Sequence, residues 1–260
     1  MRISGNTVLI TGGGTGIGLS LAQALLTEGN GVLVCGRREE KLREAQRRCP
    51  DLQTTVCDIT NEAEREALAE WAIARGVNIL VNNAGMQREI DFRRGLPALA
   101  EGDNEIRCNL EGPLFLTARL IPHLLGRQNP AIVNVSSALG FVPLAIMPVY
   151  CATKAAMHSL TLSLRHQLSQ TGIKVFEVIP PTVNTELDRG ARARRGQVDR
   201  GIPPEEVAAA VMKGMAEERL EIAVGMAANL VAGSRANFDQ LFQSLNARRP
   251  AEGGGAVGRS

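Results

Sequence analysis

Tyr150, the only tyrosine of the chain, is followed one helical turn later by Lys154. Residues at i and i+4 share a helix face, so a phenol and an ammonium at this spacing can point into one site. A free phenol, with a pKa of about 10, is a poor acid or base at neutral pH. A neighbouring cation favours the phenolate and brings that pKa down. Tuned in this way, a tyrosine can give a proton to a carbonyl oxygen or take one from an alcohol. The same pattern also fits a core or surface tyrosine with a lysine on its face, so the surrounding chain must decide.

A second set of residues offers a place for an anion. Thr11-Gly12-Gly13-Gly14-Thr15-Gly16-Ile17-Gly18 follows an apolar run and opens a helical pattern. Glycines there permit a tight turn and close approach of backbone to a pyrophosphate, which sits at the helix N-terminus where N–H groups and the dipole favour negative charge. The spacing Gly-x-x-x-Gly-x-Gly departs from the more common Gly-x-Gly-x-x-Gly. The next apolar run ends Val34-Cys35-Gly36 and is followed by Arg37 and Arg38, with no carboxylate where one would bind a ribose 2′-hydroxyl. Guanidinium pairs well with phosphate. Glu39 and Glu40 could balance the two arginines on an open surface. Cations at a helix start oppose its dipole, however, and a bound anion offsets that cost. NADP(H), rather than NAD(H), is the expected cofactor.

These residues must be positioned by alternating strands and helices. Apolar runs at Thr7–Ile10, Gly31–Cys35, Thr54–Cys57, Ile79–Val81, Ala131–Ser136, Ile173–Ile179 and Leu220–Val224 read as strands. Helical patterns at Ile17–Glu28, Glu39–Arg48, Glu62–Arg75, Asn104–Leu125, Val149–Gln170, Pro204–Glu217 and Ala227–Asn246 fill the gaps. Such alternation predicts an α/β fold: a single doubly wound Rossmann-type domain with a parallel seven-stranded sheet and helices on both faces. Runs without polar alternation, such as Ile79-Leu80-Val81, fit strands buried on both faces. Asn61 with Glu64 reads as a capping box, and Pro203-Pro204 with Glu205 and Glu206 as another helix start. The domain is expected over residues 1–249, and the Gly-rich residues 250–260 as a disordered tail.

Composition removes several function classes. A hydrophobic share of 44% in 260 residues is ample for one core, and aromatics at 3% leave that core to Ala, Val, Leu and Ile. A formal charge of +2 with mixed signs argues against nucleic acid as a partner. No apolar run approaches the length of a membrane span, and none precedes the first strand as a signal peptide would. Five scattered cysteines without Cys-x-x-Cys suit reduced thiols and a cytoplasmic location. Three histidines form no cluster with cysteines, so no metal site is expected.

With these motifs in order, the chain resembles the short-chain dehydrogenases/reductases over roughly residues 5–230. The turn carrying Gly12, Thr15, Gly16, Ile17 and Gly18 looks like that family's variant of the dinucleotide fingerprint. Asn82-Asn83-Ala84-Gly85 is similar to its structural motif near the adenine-ribose end of the cofactor. Asp58, followed by Ile59, falls where the family's acid meets the adenine amino group. Asn109, in Asn109-Leu110-Glu111-Gly112, matches the helix Asn of the catalytic tetrad, and Ser137, 13 residues before Tyr150, matches its serine. The resemblance implies hydride transfer between nicotinamide and a carbonyl/alcohol pair. Tyr150 would be general acid or base, and Lys154 would tune it and hold the nicotinamide ribose. Ser137 would bind the substrate oxygen, and Asn109 would hold a water linking Lys154 to solvent. The family commonly has Pro-Gly after its sixth strand, whereas this chain has Pro180-Pro181-Thr182-Val183-Asn184-Thr185. Val183 and Thr185 still fall where the contacts to the carboxamide would be.

A substrate lid is expected at about 186–203, where Arg189, Arg192, Arg194, Arg195 and Arg200 outnumber Glu186, Asp188 and Asp199. It could meet an acidic substrate, or be a solvated loop. Met86, Leu139, Phe141, Met147 and Leu187 suggest a modestly apolar small-molecule carbonyl or alcohol. Family analogy implies a homodimer or homotetramer through the Asn104–Leu125 and Val149–Gln170 helices. Two other functions remain open from sequence: a non-catalytic NADP(H)-sensing or scaffold protein on the same fold, and an interaction module whose basic lid binds an acidic partner.

Overall fold

The computed structural model describes residues 1–100, 104–187 and 201–247. Seven parallel strands form one sheet in the order β3-β2-β1-β4-β5-β6-β7. They are β1 (Thr7–Thr11), β2 (Gly31–Gly36), β3 (Gln53–Val56), β4 (Ile79–Asn82), β5 (Ala131–Val135), β6 (Lys174–Ile179) and β7 (Glu221–Ala223). Each expected strand is present, with no end moved by more than one residue. The helices are α1 (Gly16–Thr27), α2 (Glu39–Arg48), α3 (Glu62–Ala74), a short α4 (Leu96–Ala100), α5 (Gly112–Leu124), α6 (Pro148–Gln167), α7 (Pro204–Ala216), α8 (Met226–Ala236) and α9 (Phe238–Ala247).

Apolar runs without alternation become central strands because successive residues serve two cores. Val8, Ile10, Val32, Val34, Ile79 and Val81 point into one, with Leu21 and Leu25 of α1 and Val207 and Val211 of α7. Leu9, Leu33, Leu80 and Ile132 point into the other, with Leu68 of α3, Leu116 and Leu120 of α5 and Leu164 of α6. Register locks this alternation, since Leu9 pairs with Leu33 and Leu80 and a one-residue slip would swap the faces.

Asn61 caps α3 as its spacing suggests, accepting from Glu64 N at 3.2 Å, while the Glu64 carboxylate reaches Asp58 N at 2.7 Å. Two helices differ from expectation. The Asn104–Leu125 pattern is interrupted by a π turn at Arg107–Glu111 before α5 begins. The Ala227–Asn246 pattern splits at Asn237, whose non-helical backbone and contacts to Gln240 start α9 afresh. The Gly-rich tail and lid residues 188–200, which include all five lid arginines, lie outside the described residues. No helix among the described residues is long and apolar enough to cross a membrane.

Candidate active site

Strand order reverses between β1 and β4, and in parallel sheets such a reversal opens a crevice at the carboxyl ends of the strands. Both the glycine turn and Asn83-Ala84-Gly85 leave the sheet there. Gly12, at φ +66°, comes so close that a Cβ on it would lie 2.9 Å from the Ala84 Cα. A Cβ on Gly18 would lie 2.5 Å from Gly12 O and 2.6 Å from Asn83 Nδ2. Asn83 Nδ2 donates to Thr11 O (2.9 Å) and Gly12 O (3.2 Å). Thr11 Oγ1 in turn accepts from the backbone N–H of Asn83 and Ala84, both at 3.1 Å. Thr15, the N-cap of α1, makes no side-chain cap bond, so the first turn keeps the N–H groups that an anion would engage. Ile17 packs its side chain against the core beneath. A bare-backbone cradle closing on a helix N-terminus fits a pyrophosphate.

At the far end of the crevice, Arg37 and Arg38 leave β2. Arg38 Nη1 pairs with Glu186 at 2.8 Å, whereas Glu39 turns away to Arg43 at 2.7 Å. Asp58 follows β3 and accepts from Thr60 N at 2.9 Å. Ile59 is buried, and its carbonyl accepts from Arg65 at 2.9 Å.

The phenol–ammonium pair lies at the other end. Tyr150 and Lys154 project from the first turns of α6 and are both buried. Lys154 Nζ is 5.7 Å from the Tyr150 ring centroid and donates to Val135 O, at the end of β5, at 2.8 Å. Ser137 follows β5 and accepts from Leu139 N at 3.2 Å, capping the short 3-10 turn Ala138–Gly140. Among the described residues its own hydroxyl proton is given to none. Leu139 of that turn packs on the cluster of Tyr150, Met147 and Cys151. Asn109 sits inside the π turn, a distortion frequent at functional sites. Its amide is clamped, accepting from Met86 N (2.9 Å) and donating to Met86 O (2.8 Å) and Thr153 Oγ1 (3.0 Å). Gly85 lies between them, since a Cβ there would meet Asn109 Oδ1 at 3.4 Å and Lys154 Nζ at 3.6 Å. The catalytic candidates thus converge at the open end of β4 and β5, next to the glycine turn.

Burial brings the Lys154 ammonium down from the usual lysine range to about 8, with Cys108 opposing this more weakly. Between pH 8 and the unfolded value near 10.4, the unfolded chain holds more protons than the folded one. Stability therefore rises with pH through this window, and the cost of burying the charge stands in full below it. The unfolding midpoint of the wild type should gain on that of Lys154→Met as pH rises from about 7.5 to about 10, by up to about 3 kcal/mol. A constant difference would mean that Lys154 titrates as an ordinary surface lysine.

The loop after β6 crosses the glycine turn. Val183 forms a parallel bridge with Ile202, and the Thr185 methyl stands 2.9 Å from where a Cβ on Gly16 would be. Thr185 Oγ1 accepts from Leu187 N at 3.3 Å. Pro180 O accepts from Ala138 N at 3.2 Å, tying this loop to the Ser137 turn. Cys151, beside Tyr150, is a core filler, with burial pushing its thiol up to about 11.

Three features carry no motif in the sequence. Thr153 Oγ1 accepts from Asn109 and donates to Tyr150 O at 2.7 Å, linking the π turn to α6. Glu177 is fully buried in β6, its oxygens 2.6 Å from Ser136 Oγ and 2.8 Å from His158 Nδ1. A lone carboxylate in the apolar run Val175–Ile179 was its visible signal. Glu105, pushed up by burial against the opposing Arg88, accepts from Arg88 N at 3.0 Å beneath the loop that follows Gly85. No group of three or more His, Cys, Asp or Glu among the described residues is placed to hold a metal ion.

The family profile described as short chain dehydrogenase matches residues 6–196. An uncharacterised oxidoreductase, DltE of Bacillus subtilis (strain 168), is 46% identical over 248 residues, covering 95% of this chain and 98% of that protein. A short chain dehydrogenase from Burkholderia cenocepacia J2315, solved in complex with NADP, is 28% identical with a TM-score of 0.79, over 94% of this chain and 99% of its own. The 3-ketoacyl-(acyl-carrier-protein) reductase of Brucella melitensis, solved with NADH, is 26% identical with a TM-score of 0.73, over 82% and 91%.

Proposed function

Because the chain belongs to the short-chain dehydrogenase/reductase family and is an oxidoreductase of it, we propose that it transfers a hydride between NADP(H) and a carbonyl/alcohol pair, with Tyr150 as general acid and base. The observation that carries this reading is the convergence of Tyr150, Lys154, Asn109 and the Ser137 turn beside the glycine turn, with Gly85 against Asn109 and Lys154. When bound, the nicotinamide supplies or accepts the hydride.

The chain's own residues do the rest. Ser137 donates to the substrate oxygen and steadies the charge that develops there. Tyr150 gives that oxygen a proton in reduction and removes it in oxidation. Lys154, with one N–H spent on Val135 O, turns its charge toward the phenol and its remaining donors toward the ribose hydroxyls. Asn109 holds the Met86 backbone and Thr153 in place beside Lys154. Val183 and Thr185 meet the carboxamide, with Pro181 leaving one N–H fewer in that loop. Asp58, with Ile59 beside it, meets the adenine. Arg37 and Arg38, with no acidic residue in the sequence at the end of β2, favour the 2′-phosphate.

The test is equilibrium binding of NADPH and NADH, followed by NADPH oxidation against a carbonyl panel. Binding of NADPH about tenfold or more tighter than NADH, with turnover of at least one carbonyl, is expected. Equal affinities would overturn the cofactor preference, and binding of neither would overturn the crevice itself.

We also propose self-association through α5 and α6. Leu114 and Phe115 of α5 and Leu162 of α6 are exposed, while Leu164 and Leu168 are buried in the subunit. Light scattering should give at least a dimer; a monomer at micromolar concentration would end this proposal.

A further inference from the structure

We infer that Glu186 occupies the place of the cofactor's 2′-phosphate, that Arg38 and Lys41 together are the cations this phosphate would meet, and that Glu186 thereby sets how strongly the site prefers NADP(H). The inference rests on the NADP(H) reading above and adds to it a cation and a competitor.

One carboxylate spans two cations here. Glu186 Oε2 is 2.8 Å from Arg38 Nη1, and Glu186 Oε1 is 3.8 Å from Lys41 Nζ. Arg38 is the N-cap of α2 and Lys41 lies in its first turn, so both project from the helix start that follows β2. An anion at that place is what the crevice geometry asks of a 2′-phosphate. The acid nearest in sequence does not fill it, because Glu39 pairs with Arg43. Glu44 also pairs with Lys41, at 3.0 Å on its own helix.

Glu186 is delivered by a built loop. Asn184 N donates to Ile202 O (2.9 Å) and Ile202 N to Thr182 O (3.1 Å), anchoring the chain on both sides of Val183. The next residue, Thr185, rests against Gly16. The backbone that follows β6 therefore crosses the glycine turn and sets Glu186 on the arginine, across almost 150 residues of sequence.

The exchange follows from charge. Arg38 and Glu186 are 50% and 41% exposed, so their pair is displaceable. A phosphate near two negative charges, engaging guanidinium with two parallel bonds, displaces a carboxylate from the same cations. The two anions repel and do not share the site. NADP(H) must therefore remove Glu186 before Arg38 is available, whereas NAD(H), with a neutral 2′-hydroxyl, leaves the pair intact. Glu186 thus weakens binding of the phosphorylated cofactor alone.

The test needs no substrate. Calorimetric titration of the full chain with 2′,5′-ADP, 5′-AMP, NADPH and NADH compares the wild type with Glu186→Gln and Lys41→Gln. Glu186→Gln should tighten 2′,5′-ADP and NADPH by about threefold to tenfold and leave 5′-AMP and NADH within about twofold. Lys41→Gln should weaken the phosphorylated pair by a similar factor and spare the other two. Unchanged or weaker 2′,5′-ADP binding in Glu186→Gln, or equal shifts for all four ligands, overturns the inference while leaving the cofactor assignment standing. A wild type that binds 2′,5′-ADP no better than 5′-AMP overturns the NADP(H) reading itself, and this inference with it.

Discussion

Tyr150→Phe should lower turnover by about 10²- to 10⁴-fold while NADPH affinity stays within about twofold. The substitution removes one oxygen and keeps the ring, so the packing of Tyr150 with Met147, Cys151 and Leu139 survives. Lys154 keeps its bond to Val135 O, and the backbone of the glycine turn is untouched. What is lost is the group that exchanges a proton with the substrate oxygen. Steady-state NADPH oxidation on any accepted carbonyl, read beside NADPH titration and a thermal melt, separates these effects. Near-normal turnover would remove the phenol from the chemistry. Loss of cofactor binding would show that Tyr150 acts by holding the nucleotide.

The second large effect is expected at a residue that touches neither substrate nor cofactor. A Cβ on Gly140 would lie 2.8 Å from Lys154 C, 2.9 Å from Lys154 O and 3.0 Å from Ala155 N. All three are backbone atoms of α6, so no side chain can swing aside. Gly140→Ala must force the Ser137 turn and the Tyr150–Lys154 helix apart, or strain both. Displacement of a catalytic group by about 1 Å can cost about 10²-fold in rate, and overpacking costs about 1–3 kcal/mol in stability. The expected result is kcat down by about two orders of magnitude, NADPH binding little changed, and a lowered melting temperature. Gly31→Ala is the control, since a Cβ there meets nothing nearer than 3.8 Å and should leave kcat unaltered. Wild-type turnover in Gly140→Ala would show that the spacing between turn and helix is not critical.

Gly140 illustrates what is legible from a sequence and what is not. The strands were readable because a strand buried on both faces needs an uninterrupted apolar run, and Val32-Leu33-Val34 and Ile79-Leu80-Val81 supply it locally. The start of α3 was readable because an N-cap acts on residues three positions away, as Asn61 does on Glu64. The break at Asn237 carried a similar short signal, with Gln240 three residues on, but the apolar pattern running through it masked the break. The π turn at Arg107–Glu111 left no such mark, because one extra residue in a helical turn barely disturbs the apolar period.

By itself, the sequence determined where the seven strands and most of the long helices lie, that the glycine turn opens a helix, and that a phenol and an ammonium share a face of α6. Each of these depends on interactions within a few residues, where propensity and periodicity act. Tertiary structure alone decided that Glu186 rather than Glu39 would answer Arg38, that Glu177 would bridge Ser136 and His158, and that Gly140 would lie against the backbone of Lys154. Those partners are brought together by strand order and by the paths of the loops that leave β5 and β6. Such contacts form only once the sheet has closed over its two cores, and no local pattern of residues records them.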